Sequence, residues 1–316
     1  MLKALIIGGA GFVGGHLIKF LSSQGSLHIY ATKLDRENID VKEIDQRCIY
    51  NLDITDKKQV MEVIQQTMPD YIFHLAAQSS VSLSWKEPAL TYNINVVGTI
   101  NILEAVRLLN LDTRLLIIGS AEQYGAIKEE DLPIKEDIKI KPINPYAMSK
   151  ASQEMIGRMY SEVFGINVIM VRAFNHIGPG QSSMFVISDF AKQIAEIEKG
   201  IREPIIQVGN LDVKRDFSDV RDIVRGYLHL VQNGVKGEIY NIGSGKSYAI
   251  RELLSYMAGI SPKMIEVKLD PSKLRPMDIK ELRADITKIR EHTNWKPIIE
   301  IADTLNDIVN YWRKYI

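Results

Sequence analysis

Tyr146 and Lys150 stand four residues apart in the run Asn144-Pro145-Tyr146-Ala147-Met148-Ser149-Lys150. On a helix that spacing puts a phenol and an ammonium on one face. A cation beside a phenol favours phenolate and draws its pKa down from about 10 toward the working pH. Such a tyrosine can pass a proton to or from a hydroxyl or carbonyl oxygen. Pairs of this kind also arise by chance on helix surfaces, so the pair gains meaning only from its companions. Gly8, Gly11 and Gly14 are one companion: they follow a short apolar run and open a helical pattern as G-x-x-G-x-x-G. The strand must turn tightly, the backbone must approach a diphosphate closely, and the helix must pack near the sheet. Free N–H groups at the helix start, with its dipole, then attract the diphosphate. Between a strand and a helix, dinucleotide binding outweighs the reading of a simple turn, and a nicotinamide becomes the hydride partner of the tyrosine. Ser120, just past an apolar run, supplies a hydroxyl to orient the substrate oxygen, although serine also ends strands as a turn residue.

The second apolar run ends in Tyr30-Ala31-Thr32-Lys33-Leu34-Asp35-Arg36, where the adenosine ribose belongs. An acid such as Asp35 suits the 2′-hydroxyl of NAD(H), whereas Lys33 and Arg36 suit the 2′-phosphate of NADP(H). Both chemistries lie within four residues, so the coenzyme stays open, with a lean to NADP(H). Asp53, in Asn51-Leu52-Asp53-Ile54, has two readings of equal weight. It accepts from the adenine amine, or it is a neighbour of the helix start at Thr55 and Asp56.

The elements that must position these residues follow from hydrophobic rhythm. Leu2–Ile7, Leu27–Thr32, Cys48–Leu52, Tyr71–Ala76, Leu115–Gly119 and Val168–Phe174 read as strands. Phe12–Ser23, Asp56–Gln66, Pro88–Leu109 and Pro145–Phe164 read as helices. Near-continuous apolar strands alternating with amphipathic helices predict a parallel sheet covered on both faces. Right-handed crossovers make it an α/β, Rossmann-type doubly wound sheet. After Phe174 the rhythm changes: glycine and proline cluster at Ile177–Gly180, then a helix at Ser188–Lys199 and a strand at Ile205–Val208. A helix at Ser218–Val231 and a strand at Ile239–Ile242 return to the first sheet, and an amphipathic helix, Ile301–Tyr315, closes the chain. The second, smaller α/β domain is therefore discontinuous. Residues 1–174 and 217–246 form the dinucleotide-binding domain, and 175–216 and 247–316 the C-terminal substrate domain.

The 316 residues suit two domains with a sizeable core. Thirty-nine basic and thirty-nine acidic residues cancel, which disfavours nucleic acid or an anionic membrane as partner. The one cysteine, Cys48, cannot form an intrachain disulfide, as suits a reducing cytoplasm. No apolar run nears the roughly 20 residues of a membrane span. The N-terminal MLKALIIGGAGFVGG starts like a signal peptide, but its apolar run is too short and leads into the glycine turn. No metal-ligand cluster stands out.

Taken together, Gly8–Gly14, Leu75-Ala76-Ala77, Asn95, Ser120 and Tyr146/Lys150 resemble the extended short-chain dehydrogenase/reductases that act on nucleotide sugars. The likeness covers essentially the whole chain. Within that group, LAAQSSVSLSWKEPALTYNINVVGT, GSAEQYG, RAFNHIGPGQ, VGNLDVKRDFSDVRD and KLRPMD resemble the enzymes of GDP-6-deoxyhexose synthesis, namely GDP-mannose 4,6-dehydratase and its partner 4-keto reductases. The resemblance implies a catalytic triad of Ser120, Tyr146 and Lys150. Glu122 falls where dehydratases keep the base that removes the proton on carbon 5. Gly8, Gly11, Phe12, Val13, Ile54, Leu75, Ala76 and Ala77, with Lys33, Asp35, Arg36 and Asp53, take the coenzyme, and Lys150 reaches its nicotinamide ribose. Asn175 lies near the substrate phosphates, Arg215 and Arg275 grip the diphosphate, and Asp278 faces the nucleotide. Gly209 joins them, and Gln78, Ser79 and Ser82 line the sugar pocket. Chemically, a diphosphate in a neutral protein needs local cations, and the arginine fork suits it. Either arginine also has an ordinary ion-pair reading, with Asp216 or Asp278.

Departures from the dehydratase pattern favour the reductase side. The dehydratase turn usually contains Gln-Asp-Gly, whereas this chain has Gly9-Ala10-Gly11-Phe12-Val13-Gly14. Only fifteen residues separate Thr32 from Cys48, so the long arm of tetrameric dehydratases is missing, and the usual threonine is Ser120. Glu122 keeps a dehydratase or epimerase reading alive. The expected reaction is reduction of the 4-keto group of a GDP-linked 6-deoxy sugar by NADP(H) or NAD(H), in a homodimer built on the helices at Pro88–Leu109 and Pro145–Phe164. A non-catalytic dinucleotide sensor is disfavoured because serine, tyrosine and lysine are all present.

Overall fold

The structure, a computed structural model, describes residues 1–273 and 279–316. Among the described residues the strands are β1 (Leu2–Ile7), β2 (Leu27–Lys33), β3 (Ile49–Asn51), β4 (Tyr71–His74), β5 (Arg114–Ile118), β6 (Asn167–Ala173), β7 (Asn175–Ile177), β8 (Ile205–Val208), β9 (Lys214–Asp219), β10 (Ile239–Ile242), β11 (Ser247–Ala249), β12 (Glu266–Leu269) and β13 (Glu281–Leu282). The helices are α1 (Phe12–Gln24), α2 (Lys57–Thr67), α3 (Val81–Lys86), α4 (Pro88–Tyr92), α5 (Gly98–Leu108), α6 (Pro145–Phe164), α7 (Val186–Glu198), α8 (Val220–Asn233), α9 (Ile250–Gly259), α10 (Thr287–Thr293) and α11 (Ile301–Tyr315).

Seven strands form the main sheet in the order β10-β6-β5-β4-β1-β2-β3, and every pairing in it is parallel. This is the expected doubly wound α/β sheet. Its strands read as unbroken apolar runs because both faces are buried. In β1, Ala4 and Ile6 enter one core with Leu17 of α1 and Tyr227 of α8, while Leu5 and Ile7 enter the other with Val60 of α2 and Ile102 of α5. Strand order reverses at β1, whose neighbours are β2 and β4. A crevice therefore opens beyond their carboxyl ends, where ligands bind in such sheets. Beyond this sheet, β11-β9-β13 with β7, and the pair β12-β8, form small sheets. A separate core there joins Phe190 of α7, Leu253 of α9 and Ile308 of α11. Among the described residues no helix is long and apolar enough to cross a membrane.

Several elements differ from the sequence expectation. The helix expected over Pro88–Leu109 is α4 and α5 joined by a π-turn at Asn93–Val97, a bulge that often marks functional helices. The helix expected from Ser218 starts two residues later, because Ser218 and Asp219 end β9, and the Asp219 side chain caps α8 by accepting from Arg221 N–H at 2.7 Å. The strand β9 and the short helix α3 lie in stretches that hydropathy leaves unassigned.

Candidate active site

Pro145 stands in the first turn of α6, and Asn144 caps it by accepting from the Ala147 N–H at 2.8 Å. A proline there costs no helix hydrogen bond and presets the backbone angle. The cap fixes where Tyr146 leaves the helix. The Asn144 amide also donates to Glu122 Oε2 at 3.3 Å, tying the turn after β5 to the start of α6. Sequence reasoning assigned no role to Asn144, although Asn-Pro ahead of a helical run signals a cap.

Ser120 begins a short 3₁₀ turn at the end of β5. Its hydroxyl accepts from the Glu122 N–H at 3.2 Å, and its own N–H donates to Gln123 Oε1 at 2.8 Å. The Tyr146 hydroxyl is hydrogen-bonded to the Ser120 side chain, and Glu122 is close enough to act on it electrostatically. The structure therefore brings Ser120, Glu122 and Tyr146 together. Lys150, only 4% exposed, donates to the Ile118 carbonyl at 2.8 Å and to Gln153 Oε1 at 3.0 Å.

The electrostatics correct the expected pKa logic. Burial pushes the Tyr146 phenol up to about 12, against the hydrogen bond from Ser120, and Glu122 adds to the rise. Burial also draws the Lys150 amine down to about 7. Desolvation is the largest cause of both shifts. The phenol is thus a proton donor at neutral pH.

The glycine turn fits a diphosphate. Gly8 has φ +95°, a left-handed conformation that glycine adopts freely, and a Cβ there would sit 2.7 Å from the Ala76 nitrogen. A Cβ on Gly14 would overlap the Gly8 carbonyl oxygen and lie 2.7 Å from that of Gly9. The turn is closed by Gly11 N–H to Gly8 O at 3.2 Å, and Gly11 precedes the first turn of α1. Phe12, beside it, stacks on His176 with ring centroids 6.4 Å apart, and Val13 packs against the α1–α8 core. Leu75 and Ala76 both donate to Ile7 O at 2.9 Å, which brings them and the adjoining Ala77 to the same crevice.

At the ribose end, Leu34, Asp35, Arg36, Asn51, Leu52, Asp53 and Gln59 line an open depression of about 440 Å³. Asn51 donates to Asp35 Oδ1 at 2.8 Å, which occupies part of that carboxylate. The Lys33 ammonium lies 3.4 Å from the carbonyls of Leu34 and Asp35, and Arg36 is exposed. Asp53 has the turn role among its two readings, its Oδ1 accepting from the Thr55 N–H and hydroxyl at 2.9 and 2.7 Å, while it also lines the depression. Ile54 is buried against Gly98.

The substrate candidates are placed less uniformly. Gln78 is buried and its amide is used within its own loop, donating to Thr91 Oγ1 at 2.9 Å and Ser80 O at 3.0 Å and accepting from Ser80 N–H at 2.5 Å. These bonds tie the loop after β4 to α4. Ser79 and Ser82 are exposed. Asn175 is exposed on β7, opposite Phe217 of β9. Arg215 is buried in β9 and donates to the Ile279 carbonyl at 2.6 Å. A Cβ on Gly209 would meet the Lys273 carbonyl at 2.8 Å. Arg275 and Asp278 lie outside the described residues. Among the described residues no cluster of His, Cys, Asp and Glu has the makings of a metal site.

Comparison with known proteins agrees with this geometry. GDP-6-deoxy-D-mannose reductase of Pseudomonas aeruginosa is 37% identical over 249 residues, 79% of this chain and 82% of that protein. GDP-mannose 4,6-dehydratase of Vibrio cholerae is 27% identical, across 97% of this chain and 92% of that protein. The solved structure of RMD from Pseudomonas aeruginosa complexed with NADPH superposes with a TM-score of 0.88 at 32% identity, covering 100% of both chains. The family model for GDP-mannose 4,6 dehydratase matches residues 5–308. So little of the chain lies outside that match that its membership is plain: it belongs to the GDP-mannose 4,6 dehydratase family.

Proposed function

We propose that the protein is an NAD(P)H-dependent nucleotide-sugar 4-ketoreductase. Its reaction converts the 4-keto group of GDP-4-dehydro-6-deoxy-D-mannose to the alcohol, giving GDP-6-deoxy-D-mannose (GDP-D-rhamnose). The observation that carries this reading is the Tyr146 hydroxyl, hydrogen-bonded to Ser120 at the end of β5, where a carbonyl oxygen can receive its proton. A phenol that keeps its proton suits a carbonyl that must gain one. The similarity to a GDP-6-deoxy-D-mannose reductase and the short connection after β2 support the same direction.

Gly8, Gly11, Phe12 and Val13 would hold the coenzyme diphosphate at the start of α1. Lys33 and Arg36 would meet a 2′-phosphate, and the relative solved with NADPH makes NADPH the favoured coenzyme. The reduced nicotinamide, when bound, supplies the hydride to the carbonyl carbon. Ser120 orients the carbonyl oxygen, and Tyr146 gives that oxygen its proton as the negative charge develops. Lys150 holds its amine at the end of β5, anchored on the Ile118 carbonyl. Arg215, Asn175 and Gly209 serve the nucleotide diphosphate of the substrate. The enzyme works as a homodimer in the cytoplasm, where reduced coenzyme is supplied.

A second reading, a GDP-mannose 4,6-dehydratase or related epimerase, rests on Glu122, which stands beside Tyr146 and is held by Asn144. Absorbance at the reduced nicotinamide band separates the two. A reductase oxidises one NAD(P)H for each GDP-4-keto-6-deoxymannose consumed. Water loss from GDP-mannose without added coenzyme, with no coenzyme oxidised on the keto sugar, would move the assignment to the dehydratase. Glu122→Gln is expected to keep much of the reductase activity, since no proton on carbon 5 is removed.

A further inference from the structure

Beneath Lys150 runs a chain of buried polar groups that the proposed reaction does not use directly. Gln153, one turn further along α6, accepts from the Lys150 ammonium through Oε1 at 3.0 Å. Its Nε2 donates to Thr99 Oγ1 at 2.8 Å. Thr99 Oγ1 in turn donates to the Asn95 carbonyl at 2.6 Å and lies 2.9 Å from His74 Nε2. Gln153, Thr99 and His74 are all at most 1% exposed.

Counting protons orders the chain. The Thr99 hydroxyl has one hydrogen and two lone pairs. Its hydrogen goes to Asn95, so both lone pairs face donors: the Gln153 amide and an N–H on His74 Nε2. That makes His74 the neutral Nε2–H tautomer. The remaining nitrogen, Nδ1, has no partner. A buried bare acceptor is less costly there than a buried orphan N–H. Flipping the Gln153 amide would set its NH₂ against the ammonium and its oxygen against an oxygen.

We propose that Thr99, held by His74, orients Gln153 so that its carbonyl faces Lys150, making Gln153 a positioning residue for the amine. Two of the three ammonium hydrogens are then fixed, on Ile118 and Gln153, and the third points where a bound ligand can receive it. The inference deepens the proposed reductase reading, in which Lys150 serves the coenzyme ribose. Its structural part stands on the network alone.

The test is carbon-13 NMR of the lysine side-chain Cε in the protein without coenzyme or substrate, with the Lys150 signal identified by its loss in Lys150→Ala. Burial already draws this amine to about 7. The other titratable groups around it are His74 on β4, Tyr146 on the same helix, Glu122 after β5, and Glu154, which is paired with Arg172 of β6 at 2.7 Å. Gln153→Leu removes a hydrogen bond to a charged group, so the Lys150 midpoint is expected to fall by about one pH unit. Gln153→Glu is expected to raise it above the parent. Thr99→Val is expected to lower it, and Thr99→Ser to restore it. Nitrogen-15 spectra are expected to show His74 protonated on Nε2. A midpoint within two tenths of a unit of the parent in folded Thr99→Val, or a His74 proton on Nδ1, overturns the proposal. Should Gln153→Leu not fold, the two Thr99 variants and the histidine spectrum still decide. A protein that oxidises no NAD(P)H on the keto sugar but shows these shifts would overturn the reductase reading and leave this one standing.

Discussion

At the scale of single residues, chemistry was legible where it depends on spacing and hidden where it depends on surroundings. Four residues on a helix suffice to say that Tyr146 and Lys150 belong to one site, and a serine at a strand end completes it. The same spacing suggests a lowered phenol, whereas burial, which only the folded chain shows, pushes it up. Gln153 and Thr99 carry no motif: they are 54 residues apart and meet only because α5 packs beside α6. Tyr146→Phe removes the proton donor and keeps the ring. It is expected to retain coenzyme affinity while losing about 10²–10⁴-fold in turnover. Fluorescence titration with reduced coenzyme and the absorbance assay measure the two parts separately. Near-normal turnover would remove Tyr146 from the proton-donor role.

At the scale of elements, hydropathy finds what is buried on apolar grounds and passes over what is buried on polar ones. The first sheet strands were legible because Leu5, Ile7, Ile72 and Leu115 have no other place to go. β9, Lys-Arg-Asp-Phe-Ser-Asp, looks like a solvated turn. Yet Asp216 is wholly buried, accepting from the Ser244, Gly245 and Ala284 N–H groups at 2.7–3.1 Å. Backbone donors from two separate segments replace the water its carboxylate loses, and that pattern leaves no periodic trace in sequence. The glycine turn was legible, since its requirement is steric. Gly14→Ala puts a methyl group against the Gly8 and Gly9 carbonyls, backbone atoms that cannot move without opening the turn. We expect a stability loss of about 1–3 kcal/mol by urea unfolding, with coenzyme affinity at least tenfold weaker. Unchanged affinity would mean that the diphosphate lies elsewhere.

At the scale of the whole molecule, strand order gathers the site. β1, β2, β4, β5 and β6 all end at one edge, so Gly8, Asp35, Leu75, Ser120 and Asn175 converge although 167 residues separate the first from the last. The outer side of the same scaffold supports the proposed dimer. On α6, Met148, Met155, Met159 and Val163 form one exposed stripe, with Met155 and Val163 each 66% exposed. The neighbouring helices add Leu90, Val97 and Leu108. Exposed apolar side chains grouped on neighbouring helices suit an interface, and a second copy related by a two-fold axis presents the same groups in self-complementary fashion. α6 also carries Tyr146 and Lys150 on its inward side, so covering its outer face steadies the catalytic helix. Sedimentation at micromolar concentration is therefore expected to give twice the 35.8 kDa chain mass. Met155→Glu combined with Val163→Glu would place charges in the covered face; it is expected to shift the protein toward monomer and lower turnover on dilution, with far-ultraviolet dichroism unchanged. A parent protein that sediments as a monomer, or a double variant that stays dimeric, would show that these helices face solvent.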